Sequence, residues 1–396
     1  MSKKSMIVKY AAGYACLLAV GMAHAVSEDS AAPVVRLGGM DAYPGISVVE
    51  KNDSNPFRLP NATATSSNVT ILSPSVLLQG KKGADEYTVA YRADVGRFSG
   101  FSADNYVDQN FQGSANLNFN ASASLRIAPE YKLGHDDRGA LPVNNGLRND
   151  WKSTGLVSAF KYGAEGSQGR IVLDGSYLDR QYQNNPTLTK GMNRKTTDVA
   201  ASFYYRVLPK TSLFVQVGNA RIAYADPVSV NYTGNEQRYM AGVTWDATAQ
   251  TSGTFKIGQL QKKFDTGVRP TFKGSSWEGN VRWSPLQVAR VDLTSSRKTS
   301  ESLGLGNYIL SSSNAADFAY DLSEQTTLHA NVAKASDNFS GSGRVDNTTT
   351  YGLKGDYRIR KWLVGGVEYS DANRTSTDTN SLFKRKIFSV SLRSEL

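Results

Sequence analysis

The chain of 396 residues holds one cysteine and three histidines. Cys16 stands near the N-terminus, so the rest of the chain has no thiol for a disulfide or a cysteine metal site. No stretch approaches the eighteen or so consecutive apolar residues that a membrane-spanning helix requires. No G-x-x-x-x-G-K-[ST] loop occurs, so the chain has no phosphate-cradling loop with which to drive transport by nucleotide. Lys and Arg outnumber Asp and Glu by 45 to 35, but the two signs are dispersed, and no basic block marks a nucleic-acid partner. The scarcity of histidine also thins the choice of catalysts. His135 sits in a polar stretch beside Asp136 and Asp137, which reads as a solvated loop. His329, with Ser323 at the nearby turn, has the inward parity of a pore-lining group, whereas an outer-membrane lipase triad needs its nucleophile at the lipid boundary. Asp/Asn-rich segments such as Asp371 to Asn380 lack the spaced carboxylates of a calcium loop. The expectation is a non-enzyme without metal or cofactor.

The N-terminus supplies the first positive signal. Met1-Ser2-Lys3-Lys4 is basic, Ala11 to Ala23 is apolar over the length of a signal-peptide core, and Ala23-His24-Ala25 is an A-x-A cleavage site. The mature chain is expected to begin at Val26, and Cys16 leaves with the signal. Losing Lys3, Lys4 and Lys9 lowers the formal charge from +10 to +7. A short periplasmic segment over 26–43 and a barrel over 44–396 complete the expected organisation.

The barrel follows from alternation. In Trp277-Glu278-Gly279-Asn280-Val281-Arg282-Trp283 every apolar or small residue has one parity and every charged or amide residue the other. Strand side chains alternate faces, so such a segment has one greasy and one wet face. The same beat recurs in Tyr87/Val89/Tyr91 against Arg92/Asp94, in Val199/Ala201/Phe203/Tyr205 against Ser202/Arg206, and in Leu213/Val215/Val217 against Gln216/Gly218. Roughly ten-residue alternating segments separated by turns are the signature of a transmembrane β-barrel.

Turn signals fall into two lengths. Short ones recur at Lys82-Gly83-Ala84, Asn118 to Ser122, Ala164-Glu165-Gly166, Leu208-Pro209-Lys210, Thr248-Ala249-Gln250, Ser284-Pro285-Leu286, Leu322-Ser323-Glu324 and Arg358-Ile359-Arg360. Longer polar ones lie between them, over 53–66, 99–104, 135–150, 184–194, 226–235, 266–274, 299–306, 337–346 and 371–383. Eight short turns and nine long loops join eighteen strands of an up-and-down antiparallel barrel, with both termini at the short-turn, periplasmic end. The strand around Gly45 to Glu50 has the weakest pattern; without it the count drops and the even parity fails, which makes sixteen the fallback.

Aromatic residues mark strand ends: Trp245, Trp283 and Trp362 near short turns, and Tyr106, Trp277 and Tyr369 toward long loops, as paired interfacial girdles would require. The last strand alternates Phe388/Val390/Leu392/Leu396 with Ser389/Ser391/Arg393/Glu395, and its final Leu396 departs from the terminal aromatic that barrel-assembly machinery reads in many such proteins.

The apolar parity must face outer-membrane lipid, because a Lys or Arg at the bilayer midplane costs about 2–4 kcal/mol on a barrel surface. The opposite parity then lines the pore. By this reading the pore-lining residues are Arg92, Asp94, Arg126, Glu130, Arg170, Asp174, Tyr204, Arg206, Glu278, Arg282, Arg290, Asp292, Lys354, Asp356, Arg358 and Glu368, with Tyr204 a candidate stacking platform for sugars. His329 shares the inward parity with Asn331.

Several hairpin motifs appear in a distinctive order: Asn55-Pro56-Phe57-Arg58, Tyr131-Lys132-Leu133-Gly134-His135-Asp136-Asp137-Arg138-Gly139, Tyr204-Tyr205-Arg206-Val207-Leu208-Pro209-Lys210-Thr211, Ala241-Gly242-Val243-Thr244-Trp245, the Trp277 to Pro285 segment, and Tyr351 to Trp362. In this order the chain resembles the EpsL-type exopolysaccharide-associated outer-membrane β-barrel porin family of Gram-negative bacteria, over nearly its whole mature length. The resemblance implies exopolysaccharide export across the outer membrane, with a periplasmic polysaccharide export protein and an inner-membrane copolymerase system as partners. It implies no catalytic residues. The alternative is a general diffusion or uptake porin for small solutes, which predicts a long loop folded inward as a constriction. His135 to Asp150 is the best candidate for it. An outer-membrane enzyme, relying on His329 and a nearby serine, is a third reading.

Overall fold

The computed structural model describes residues 35–140, 142, 146–164, 166–225, 231–246 and 250–395. The expected signal peptide with Cys16 and its cleavage site lies outside them, as do Leu396 and parts of the 135–150 and 226–235 loops and of the turns at 164–166 and 248–250.

Nineteen strands form in chain order. A short β1 (Val35–Leu37) precedes β2 (Met40–Asp53), β3 (Ser67–Lys82), β4 (Asp85–Phe98), β5 (Tyr106–Asn120), β6 (Ala123–Asp136) and β7 (Asn149–Tyr162). Next come β8 (Gly169–Tyr182), β9 (Arg194–Leu208), β10 (Thr211–Tyr224), β11 (Gly234–Trp245), β12 (Thr251–Phe264) and β13 (Phe272–Leu286). The chain ends with β14 (Ala289–Ser300), β15 (Ile309–Asp321), β16 (Thr326–Phe339), β17 (Arg344–Arg360), β18 (Leu363–Ser376) and β19 (Phe383–Glu395). Each strand from β2 to β19 pairs antiparallel with its sequence neighbours, and β19 closes on β2 from Ile387↔Asp53 to Glu395↔Gly45. The result is a closed barrel of eighteen antiparallel strands, and closure leaves no unpaired edge. The strand of weakest pattern, near Gly45, is therefore real and supplies half of the closing seam. No helix among the described residues is long and apolar enough to cross a membrane, which says nothing against crossing by strands.

The outer surface is what the alternation dictates. Val89, Val199, Val215, Leu353 and Phe388 stand about half exposed to more than half exposed all around the barrel. So many large exposed apolar side chains are compatible with a lipid surround and not with water.

Several boundaries differ from the sequence reading. Ser284-Pro285-Leu286 belongs to β13, whose register shifts between Trp283 and Leu286, so the link is Gln287-Val288. A bulge tolerates proline within a strand because the missing N–H is not needed there. Arg358-Ile359-Arg360 likewise ends β17 at a register shift, and the turn falls on Lys361-Trp362. The expected loop 337–346 shrinks to 340–343, since Asp337↔Asp346 and Phe339↔Arg344 still pair. Gly341 and Gly343, at φ +82° and +73°, close it. Strands continue here past the lipid, where both faces are polar and alternation gives no signal. At the N-terminus, Gly38 and Gly39, with φ +56° and +85°, fold Val35–Leu37 back onto Met40–Ala42, so the first barrel strand starts at Met40, ahead of the expected 44.

Candidate functional site: the lumen and its long-loop mouth

Strand parity carries the charged residues of the sequence reading to the face opposite the exposed apolar ones. Arg92 Nε donates to Asp94 (2.8 Å), which also accepts from the Ser73 hydroxyl (2.5 Å). Lys132 pairs with Glu130 (2.8 Å), and Lys256 with Glu278 (3.3 Å). Arg282 and Arg290 share Asp292 at 2.6 and 3.1 Å. Lys354 and Arg393 flank Asp356 at 2.9 and 3.1 Å, and His329 Nε2 faces the same carboxylate at 3.6 Å. Among the described residues no hydroxyl is hydrogen-bonded to His329. Lys161 and Lys256 are the charges nearest Asp174. Arg126 lies opposite Ala159 and Asn116, Glu368 opposite Lys354 and Ser389, and Arg358 at the exposed short-turn end of its strand. Arg170 and Arg206 lie at that same end, beside Tyr204. Tyr204 is buried, its ring stacked on Phe214 (centroids 4.8 Å apart) and covered by the Arg170 guanidinium (4.7 Å). Both faces are thus occupied, which leaves no open platform for a sugar ring.

Of the expected girdle, Trp283, Trp362 and Tyr369 are exposed, and Trp277 keeps its outward parity while donating from Nε1 to the Ser295 hydroxyl (2.9 Å). Tyr106 turns inward instead. Its ring covers Gly96, directly opposite, where even a Cβ would lie 2.1 Å from the ring, and it stacks on His135 with centroids 4.2 Å apart.

The long-loop mouth holds the arrangement that alternation missed. Asp53 is fully buried and accepts three hydrogen bonds from Arg385 (2.6–3.0 Å), joining the first and last barrel strands. From there the 54–66 loop turns into the barrel: Asn55 and Phe57 are buried, and Arg58 adopts φ +52°, a left-handed conformation costing on the order of 1–3 kcal/mol. Phe57 packs edge-on against Phe101 (4.9 Å) and under the Arg138 guanidinium (4.8 Å). Arg138 in turn grips Asp104 with two hydrogen bonds (2.7 and 2.5 Å). Such bidentate pairs are the strong, geometrically specific kind.

The segment after β6 runs through this cluster. Asp137 meets Arg58 (3.4 Å) and His135 Nε2 (3.2 Å), while His135 Nδ1 faces Asp108 (2.9 Å). Burial works against the charge of Asp137, yet the His135 hydrogen bond and Arg58 hold its carboxyl well below the usual range. Burial pushes the Arg58 guanidinium down to about 10 despite Asp137. Farther on, the Pro142 carbonyl accepts from Arg344 Nη1 (2.9 Å), and Arg344 is itself clamped on Asp346 (2.9 and 2.6 Å). β17 lies seven strands from β6 around the eighteen-stranded wall. The segment therefore reaches over the lumen to a far sector.

A second set of loops folds inward on the other side. Glu301, between β14 and β15, accepts from buried Lys262 on β12 and from the Tyr224 hydroxyl on β10 (2.6 Å). Burial opposes its charge, but Lys262 and the two hydrogen bonds keep its carboxyl below the usual value. Arg269 stacks on Tyr232 (3.7 Å) and donates to the Gly306 carbonyl (2.8 Å). Below them Arg238 pairs with Asp198 (2.6 Å) and Glu236 (3.1 Å). Lys262 and Glu301 are 39 positions apart and Asp53 and Arg385 are 332 apart, and no local spacing announces either pair. Inward parity of both Asp53 and Arg385, on the two strands that must close the barrel, was the available signal. Among the described residues no three His, Cys, Asp or Glu are grouped to hold a metal.

A profile of the family described as Putative beta-barrel porin 2 matches residues 32–396. The chain belongs to that family. No curated protein matches it. Solved structures similar to it include OpdK from Pseudomonas aeruginosa with vanillate, at 12% identity and TM-score 0.49 over 90% of this chain and 99% of that one. OpdO from the same organism gives 11% and 0.49 over 90% and 97%. The FrpB iron transporter from Neisseria meningitidis (F3-3 variant) gives 10% and 0.47 over 87% of this chain, which spans 64% of FrpB. At such identities and scores these likenesses concern barrel architecture, and no cargo is carried over from them. The family and the eighteen-stranded barrel together make this an outer-membrane porin-like protein.

Proposed function

We propose that the protein is a water-filled outer-membrane channel for small polar solutes, narrowed where Pro142 is held over its long-loop mouth. The supporting observation is the hydrogen bond from Arg344 on β17 to Pro142, which draws that segment over the lumen. Barrels of sixteen to eighteen strands enclose an aqueous channel unless something fills them. Here the inward loops are locked by buried ion pairs at the mouth, while the wall below carries paired Arg, Lys, Asp and Glu that hydrate a passage without holding a solute tightly. Purified protein reconstituted in planar bilayers is expected to conduct KCl in discrete steps, and replacing residues 139–147 by a short Gly-Ser link is expected to enlarge the step. Absence of steps from folded, inserted barrels would overturn the reading.

Export of an exopolysaccharide, with a periplasmic export protein and an inner-membrane copolymerase, is the second reading. Its support is the resemblance carried by the ordered hairpin motifs. A polymer chain needs a continuous opening, so this reading requires the 137–148 segment to leave Arg344 during transport. Deleting the gene should then abolish surface polysaccharide while synthesis continues. Normal secretion in the deletion strain would sink it.

A further inference from the structure

At the short-turn end, the turns around 163–168 and 209–211 and the ends of β8, β9 and β10 enclose a recess lined by Arg170, Arg206, Lys210, Ser167, Gln168 and Ser212. The position of each cation follows from the register. Arg170 lies opposite Tyr204, Tyr204 opposite Phe214, and Arg206 opposite Ser212, so both arginines sit on the inward face of adjacent strands. Arg170 is held by stacking on Tyr204 and not by an acid, and its buried Nε has no hydrogen-bond partner. The Arg206 guanidinium reaches back to within 3.5 Å of where a side chain on Gly166 would begin. A hydrogen bond from Gln168 Nε2 to the Arg206 carbonyl (2.6 Å) ties the turn to the strand. Lys210 stands exposed at the rim.

None of the described residues lining this recess is acidic, and among the described residues neither Arg170, Arg206 nor Lys210 forms an ion pair. Glu165, in the same turn, lies outside the described residues. Elsewhere in the lumen the pattern is opposite: Arg92, Arg238, Arg282, Arg290, Arg344 and Arg385 each face a carboxylate. Three cations without counter-charge among the described residues repel one another, and a planar guanidinium is a directional donor for a bidentate oxyanion.

We propose that this recess is a binding station for an oxyanion group, carboxylate or phosphate, carried by a solute at the short-turn mouth. The idea rests on the channel reading for its biological use, but not for its test. Binding of glucuronate, inorganic phosphate and, as the neutral control, glucose is measured by titration calorimetry on the full-length barrel in detergent. Wild type should bind glucuronate or phosphate, the tighter of the two naming the group, and should ignore glucose. The Arg170→Gln/Arg206→Gln double variant should lose affinity at least about tenfold, whereas the paired-cation control Arg282→Gln/Arg290→Gln should keep it. Lys210→Gln, at an exposed turn position, should weaken binding several-fold on its own. Glu165→Gln should leave affinity equal or tighter. Wild type that binds neither anion, a double variant that binds as well as wild type, or loss of binding in Glu165→Gln would overturn the station. KCl conductance of the same preparations reports separately on the channel, so a conducting barrel that binds no anion refutes the recess alone.

Discussion

The two mouths of the barrel handle charge in opposite ways. At the long-loop end, Asp53 with Arg385, Arg344 with Asp346 and Glu301 with Lys262 are buried, matched and hydrogen-bonded, and they fasten loops to the wall. At the short-turn end, Arg170, Arg206 and Lys210 share an open recess without an acid among the described residues. Buried ions must be paired because their desolvation is otherwise too costly, whereas solvated cations can stay unmatched. The contrast separates a region built to hold shape from one that keeps charge available.

The largest effect expected to break this contrast is at Asp53. Asp53→Ala leaves Arg385 buried without its partner, a loss of about 3–5 kcal/mol when a buried pair is broken. Urea unfolding in lipid vesicles should report it, and an unchanged midpoint would remove the seam from the argument. Next is the latch. Arg344→Ala should raise single-channel conductance by freeing the segment at Pro142, while Arg344→Lys should give a smaller rise, since a lysine cannot hold Asp346 and the carbonyl in the same fork.

The third expectation concerns pH. The carboxyls of Asp137 and Glu301 lie below their ordinary values in the folded protein, so their contribution is fully present above the unfolded values and is lost as pH falls through the folded ones. The locks made by Asp137 and Glu301 should therefore hold from neutral pH down to about pH 4, the ordinary carboxylate range, and release their loops, read as a jump in conductance, only in stronger acid. A transition near pH 6 would contradict the assignment. The smallest effect is expected at Arg282. Its pair with Asp292 is largely exposed, and such pairs are worth about 0.2–1 kcal/mol, so Arg282→Ala should scarcely move the unfolding midpoint.

How much could be read in advance differs along each strand. Between Trp277 and Trp283 the alternation gave the right face for every residue, because mid-strand side chains see lipid on one side and water on the other. Toward the long loops that contrast ends. Asp337 to Asp346 looked like a loop because it is polar, yet it is mostly ladder, and Tyr106 looked like a girdle residue because it is aromatic, yet it caps Gly96 inside. Tyr204 was correctly given inward parity, but its neighbours on β8 and β10 close both faces of the ring. Cross-strand neighbours depend on register, which single-strand patterns do not carry.

The sequence by itself determined that this protein is a barrel and which parity meets lipid, and it narrowed the count to eighteen or sixteen strands, which the closing seam of β19 on β2 decides. Those follow from a local rule, repeated hairpin by hairpin: an uncompensated charge on the lipid face is too costly to tolerate. Only the tertiary structure decided that Asp53 meets Arg385, that Pro142 meets Arg344 on β17, and that three cations share one recess. These are consequences of closure, in which strands hundreds of residues apart become neighbours and loops from different hairpins compete for one mouth.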